Sequence, residues 1–387
     1  MTIFGSRKAF ENLRRAKASL DAAANALRSK TSKPARRQIA IKDAEIVALK
    51  KELARARGDD GRTPGPDAIR STPVFFVLGQ QKSGTTWLMR ILDSHPEILC
   101  KGEGRFFGAD WRQKSLMRRD ARRPPSSLYN AVLDAEYLKL WIERSVWSRN
   151  DDAGEHLDNL TRMAIDYFLT GELLKTGKRM VGDKSPLLTP ETIREVAEIY
   201  PEARVVHIIR DGRDAAVSAV HHSWNFGKAQ EKSAGISAKR IAYRRDRQEL
   251  REAGESMFAG NSLGKMATEW NARVGKTIID GPALLGENYA EVRYEDLLER
   301  PHEEVRRLLG FLGAKADEET VRRCVSTASF EKLSKGRERG EEDPSSFFRK
   351  GIAGDWRNVF TEEDRRVFKQ AAGELLIELG YEKDLEW

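Results

Sequence analysis

The chain of 387 residues is most informative first for what it has little of. It carries two cysteines, Cys100 and Cys324, far apart in sequence. That rules out a disulfide framework or a thiolate metal site, and both read as buried free thiols. No run of about 18 apolar residues is present, so no membrane-spanning helix is expected. The first twenty residues, MTIFGSRKAFENLRRAKASL, have no apolar secretion core, and a cytoplasmic location is expected. The bulk of the chain also lacks a basic excess. The net charge is +8, but residues 1–70 hold 17 Lys/Arg against 8 Asp/Glu, which leaves residues 71–387 at −1. No nucleic-acid partner is expected for the body. With 40% hydrophobic and 33% charged residues, that body is globular.

Residues 7–30 and 36–57 show helical spacing. Phe10, Leu13, Leu20, Ala24 and Leu27 form one run, Ile39, Ile46, Leu49 and Leu53 the other, with Pro34 between them. Residues 1–57 read as a basic helical extension, either a coiled-coil arm capable of forming a homo-oligomer through residues 7–57 or a solvated tail. GDDGRTPGPDAIRSTP holds three prolines and three glycines, so residues 58–72 read as a linker and residues 73–387 as the catalytic domain. Within that domain strands are expected at 74–78, 97–100, 179–182, 203–209 and 290–294, alternating with helical patterns. This order predicts an α/β fold of three layers, a parallel sheet with helices on both faces. The polar stretch 227–262 reads as a helical insertion outside the core.

One further absence frames the chemistry. In FFVLGQQKSGTTWL, Gly79 and Gly84 occupy the glycine positions of GxxxxGK[ST], the loop that cradles phosphates. The next residue is Thr85, where that pattern has lysine, and the loop's own lysine is Lys82. Gly79, Lys82, Ser83, Gly84, Thr85 and Thr86 still offer backbone N–H groups, a helix N-terminus and a cation to an anion. The displaced lysine argues against a nucleoside triphosphate with magnesium, and so against the alternative of a nucleotide kinase or ATPase; no metal is expected.

In parallel sheets ligands bind beyond the carboxyl ends of the strands. The residues that follow the expected strands are the Lys82 loop, Lys101 and Glu103, Asp183 and Lys184, Arg210, and Glu295 and Asp296. This is a cation-rich edge. Arg210 with Ser218, about two turns into the next helix, could hold a second phosphate; alternatively Arg210 pairs with Asp214. Two separated anion sites suit a nucleotide phosphorylated at both its 5′ and 3′ positions.

These stretches resemble sulfotransferases that use 3′-phosphoadenosine-5′-phosphosulfate (PAPS). GQQKSGTTWL is similar to their 5′-phosphosulfate loop, IIRDGRDAAVS to their 3′-phosphate motif and FFRKGIAGDWRNVFT to their C-terminal loop. GDKSP and RYEDL also resemble family elements, and together these span about residues 73–361 in the family's order. The resemblance implies a P-loop-like fold and transfer of a sulfonate from PAPS as co-substrate to a hydroxyl, less readily an amine. It implies that Lys82, Ser83, Gly84, Thr85 and Thr86 hold the 5′-phosphosulfate. Arg210, Ser218, Arg349, Lys350 and Gly351 would hold the 3′-phosphate, while Trp87 either borders the nucleotide or packs in its helix. Lys82 and Lys184 would meet charge that develops on the leaving oxygen and the sulfonate; the alternative for Lys184 is an ion pair with Asp183. KGEGRFF resembles the glutamate-bearing segment of the carbohydrate and tyrosyl-protein branches, so Glu103 is the expected base. Its alternative is pairing with Lys101 or Arg105, and His221 and His222 are its rivals. A small-molecule or glycan acceptor is expected.

Overall fold

The computed structural model describes residues 73–108, 127–133, 135–187, 189–226 and 234–387. The extension and linker read at 1–57 and 58–72 lie outside these residues. Five strands occur where the apolar runs predicted them: β1 (Val74–Gly79), β2 (Ile98–Gly102), β3 (Met180–Pro186), β4 (Arg204–Ile209) and β5 (Tyr289–Arg293). They form one sheet in the order β2-β3-β1-β4-β5, and every pairing is parallel.

VFFVLG is apolar on every residue because β1 is central and covered on both faces. Phe76 and Leu78 point to one side, where Ile165 and Leu169 of α2 (Ala153–Leu173) and Ile193 and Val196 of α3 (Thr192–Ile199) cover them. Phe75 and Val77 point to the other side. There they meet Leu88 and Ile91 of α1 (Thr85–Asp93), Leu308 of α7 (Pro301–Leu312) and Val321 of α8 (Glu318–Thr327). A third cluster joins α4 (Gly212–Phe226), α5 (Ser262–Leu285) and α9 (Glu362–Glu378) around Trp270 and Phe368; α6 (Tyr294–Glu299) is a short helix after β5. Cys100 and Cys324 are buried free thiols, as expected.

The stretch 227–262 departs from its reading as an insertion outside the core. Two helices, Ala234–Arg245 and Arg247–Glu252, lie here, but Tyr243, Met257 and Phe258 are buried in the cluster that holds Val220 and Trp224. A lone Tyr243 and the pair Met257–Phe258, fourteen residues on in a polar stretch, do not register as a periodic core pattern.

The chain leaves β1 toward β2 at one edge, returns through β3, and only then crosses to β4. The strand order therefore reverses at β1, and the loops after β1 and β4 part to leave a crevice at the carboxyl edge.

Candidate active site

The loop after β1 is shaped by backbone geometry. Ser83 N–H donates to the Gln80 carbonyl at 3.0 Å, Lys82 adopts φ 71° and Gly84 φ 91°. A side chain at Gly84 would strain that backbone and put its Cβ 2.6 Å from the Tyr294 ring. Helix α1 starts at once with Thr85, and among the described residues no side chain caps it and no acid lies in its first turn. Its first N–H groups thus present a positive end to the crevice. The Ser83 hydroxyl is buried and has no hydrogen-bond partner among the described residues.

A cavity of about 330 Å³ opens at this point. Of the residues predicted from sequence, Lys82, Gly84, Thr85, Thr86, Trp87, Glu103, Arg210, Ser218, Arg349, Lys350 and Gly351 line it. Three do not reach its wall. Gly79 ends β1 beneath the loop, Ser83 is buried under it, and Lys184 is buried behind Glu103.

Arg210 ties the two sides together. Its guanidinium donates to the Lys82 carbonyl and the Ile352 carbonyl, both at 3.1 Å, and lies over the Tyr294 ring at 4.3 Å. The pairing with Asp214 is longer, 3.8 Å. Asp214 instead accepts from the N–H groups of Gly354 at 2.6 Å and Trp356 at 2.9 Å, which fastens the 349–356 loop to the start of α4. In that loop Arg349 reaches Glu342 and Asp355, each at 2.6 Å, and Lys350 reaches Asp355 at 2.7 Å. Burial works against charge on Asp355, yet the two cations hold its carboxyl well below the usual range.

Lys82 has a different setting. Its ammonium lies 4.4 Å over the Phe347 ring. Burial first, then Arg210 and Lys184, pulls its pKa from 10.5 down to about 8. Lys184 forms no pair with Asp183: its Nζ donates to Glu103 Oε1 at 2.7 Å. Asp183 accepts from Gly104 N–H at 2.9 Å and Ser185 Oγ at 2.5 Å, and Lys101 pairs with Glu172. Glu103 stays exposed at the cavity mouth.

The remaining predicted groups divide. Trp87 does both things read for it: its indole N–H donates to the Ala328 carbonyl at 2.9 Å, while its ring lines the cavity. His221 packs between Trp224 and Tyr243, whereas His222 lines the cavity, its pKa lowered by burial and by Lys82. Glu295 and Asp296 do not join the cluster. Glu295 accepts from Asp211 N–H and the Tyr381 hydroxyl, and Asp296 pairs with Arg300. Two contributors escaped the sequence reading. Tyr294 lies under Arg210 and against Gly84, and Asp355 neutralises two cations 5 and 6 residues before it. Both stand within quoted stretches, RYEDL and GDW, but nothing in the spacing tells which way they face.

The family model described as Sulfotransferase domain matches residues 72–380. The chain is 25% identical over 280 residues to protein-tyrosine sulfotransferase A of Caenorhabditis elegans, covering 70% of this chain and 56% of that protein. It is 25% identical over 321 residues to the nodulation protein NoeE of Sinorhizobium fredii, covering 81% of this chain and 67% of that one. Among solved structures, mouse sulfotransferase SULT7A1 complexed with PAP aligns with a TM-score of 0.43 at 18% identity, over 81% of this chain and 88% of that one. A family model that spans most of the chain, on a fold whose crevice gathers cations at a glycine loop, decides the assignment: the chain belongs to the sulfotransferase family.

Proposed function

We propose that the chain transfers a sulfonate group from PAPS to a hydroxyl acceptor, carbohydrate-like in character, by in-line displacement. The observation that carries this reading is a single cavity with two cationic ends. Lys82 and the start of α1 line it from the loop after β1, Arg349 and Lys350 line it from the 349–356 loop, and Arg210, bonded to both loops, lines it with Ser218. A nucleotide with separated 5′ and 3′ anionic groups matches that spread, and the uncapped start of α1 supplies N–H donors suited to an anion.

In the reaction the acceptor oxygen attacks sulfur, the bond from sulfur to the bridging oxygen breaks, and its electron pair stays on the 5′-phosphate of the departing bisphosphate. Lys82 stabilises charge that grows on that oxygen, which lowers the barrier because the interaction strengthens in the transition state. Glu103 takes the acceptor proton, and Lys184, 2.7 Å from it behind the cavity wall, orients the carboxylate and adds positive charge near the sulfonate. Trp87, in the cavity wall, borders the base of the nucleotide. The acceptor enters beside Glu103, the exposed member of the set.

Calorimetry tests the nucleotide. The chain is expected to bind 3′-phosphoadenosine-5′-phosphate far more tightly than ATP–Mg²⁺; the reverse order would point to a kinase. Screening hydroxyl-bearing glycans and peptides with labelled PAPS then identifies the acceptor.

A further inference from the structure

The surface holds an apolar strip that the catalytic reading leaves unused. Of the thirteen large hydrophobic residues exposed among the described residues, ten fall between Tyr137 and Leu174. Four of them, Leu160, Met163, Tyr167 and Leu174, stand on or just past α2 at intervals of three, four and seven. With Thr170 they make a straight 3-4-3-4 seam of fifteen residues. Its opposite face, with Ile165, Leu169 and Leu173, is the one buried against the sheet. An exposed seam with Tyr167 at 76% accessibility beside a satisfied core face is the pattern of a helix that awaits a second helix.

We infer that residues 36–57 of this same chain dock as a helix along that seam. Two independent features support this occupant. The first is register. Ile39, Lys42, Ile46, Leu49 and Leu53 repeat the same 3-4-3-4 spacing over the same fifteen residues, so the two seams match in length with one polar position in each, Lys42 and Thr170. The second is reach. The chain enters the sheet at Pro73, whose carbonyl accepts from Val181 N–H, and Val74 shares a buried cluster with Leu169 and Leu173 at the end of α2. Fifteen residues, 58–72, span up to about 50 Å, and α2 is about 32 Å long. Two heptads pair weakly between separate chains, but the tether raises their effective concentration.

In a flush register Ile46 lies within one turn of Tyr167 whether the helices run parallel or antiparallel, and the test uses this. The full chain carrying Ile46→Cys and Tyr167→Cys, with its native thiols buried, is oxidised mildly. An intrachain disulfide should form at least tenfold faster than in a control with Ile46→Cys and Glu362→Cys. In the chain without introduced cysteines, hydroxyl-radical oxidation of Met163 and Tyr167 should be several-fold slower than in the Ile46→Glu, Leu49→Glu variant. A disulfide that forms only between chains would replace the proposal with pairing of two copies. Equal rates in test and control, with Met163 and Tyr167 unprotected, would overturn it. Neither readout depends on sulfonate transfer.

Discussion

The two ends of the cavity hold their positive charge in opposite ways. At the 349–351 end every cation is already answered: Arg349 by Glu342 and Asp355, Lys350 by Asp355. The charges are compensated and fixed, so an arriving phosphate has to share donors with a resident carboxylate. At the Lys82 end no carboxylate stands against the ammonium among the described residues. It rests on a ring face, buried beside other cations, and its pKa falls to about 8. An uncompensated, desolvated charge is costly in the empty protein and becomes favourable where anionic charge arrives. The first end is built to hold a ligand and the second to respond to a reaction.

Truncation at each end should separate these roles. Lys82→Ala should lower kcat by about 10²–10³. Arg349→Ala should instead raise the dissociation constant for the bisphosphate about 10–100-fold, as for one charge-assisted contact, with kcat changed only a few-fold. Single-turnover kinetics with calorimetry on both variants checks this, and equal effects on kcat would erase the distinction.

Glu103→Gln sharpens the contrast from outside both ends. It should lower kcat about 10²-fold and leave bisphosphate affinity nearly intact. Retained turnover would remove Glu103 as base.

The pH dependence of bisphosphate affinity separates the ends again. Lys82 loses its proton above about pH 8 in the free protein, so affinity should fall as pH rises through 8. The Lys82→Arg variant should show no such decline. The depressed value also means that the unfolded chain binds more protons between about 8 and 10.5, so Lys82 makes stability rise with pH across that window.

The smallest effect concerns Asp355. Asp355→Asn should cost about 1–3 kcal/mol in denaturant unfolding at neutral pH, because Arg349 and Lys350 lose their common acceptor. The folded carboxyl titrates below its ordinary 3.8, so the wild-type advantage is present above about pH 4 and declines as pH falls below it.

Much of this was readable from residues alone. All five strands were visible as apolar runs, because a parallel sheet covered on both faces tolerates few polar positions in its strands. The glycine loop and the cations after the strands were legible, because strand order carries each strand's next residue to one edge. The pairings were not. Lys184 has Asp183 beside it in sequence and pairs with Glu103, 81 positions away. Asp214 is four residues from Arg210 yet spends its oxygens on the backbone of Gly354 and Trp356.

The sequence by itself determined the class of sheet, the shape of the loop and the sign of charge at its edge. These follow from local periodicity, from glycine's freedom at positive φ and from the residue types after each strand. Only the tertiary structure decided which cations are neutralised and which stay bare, and that Gly79, Ser83 and Lys184 stand behind the cavity wall. It also decided that Leu160, Met163 and Tyr167 of α2 are exposed among the described residues. Those outcomes depend on distances between residues tens to hundreds of positions apart, and burial, which sets the strength of each charge, exists only once the chain has folded.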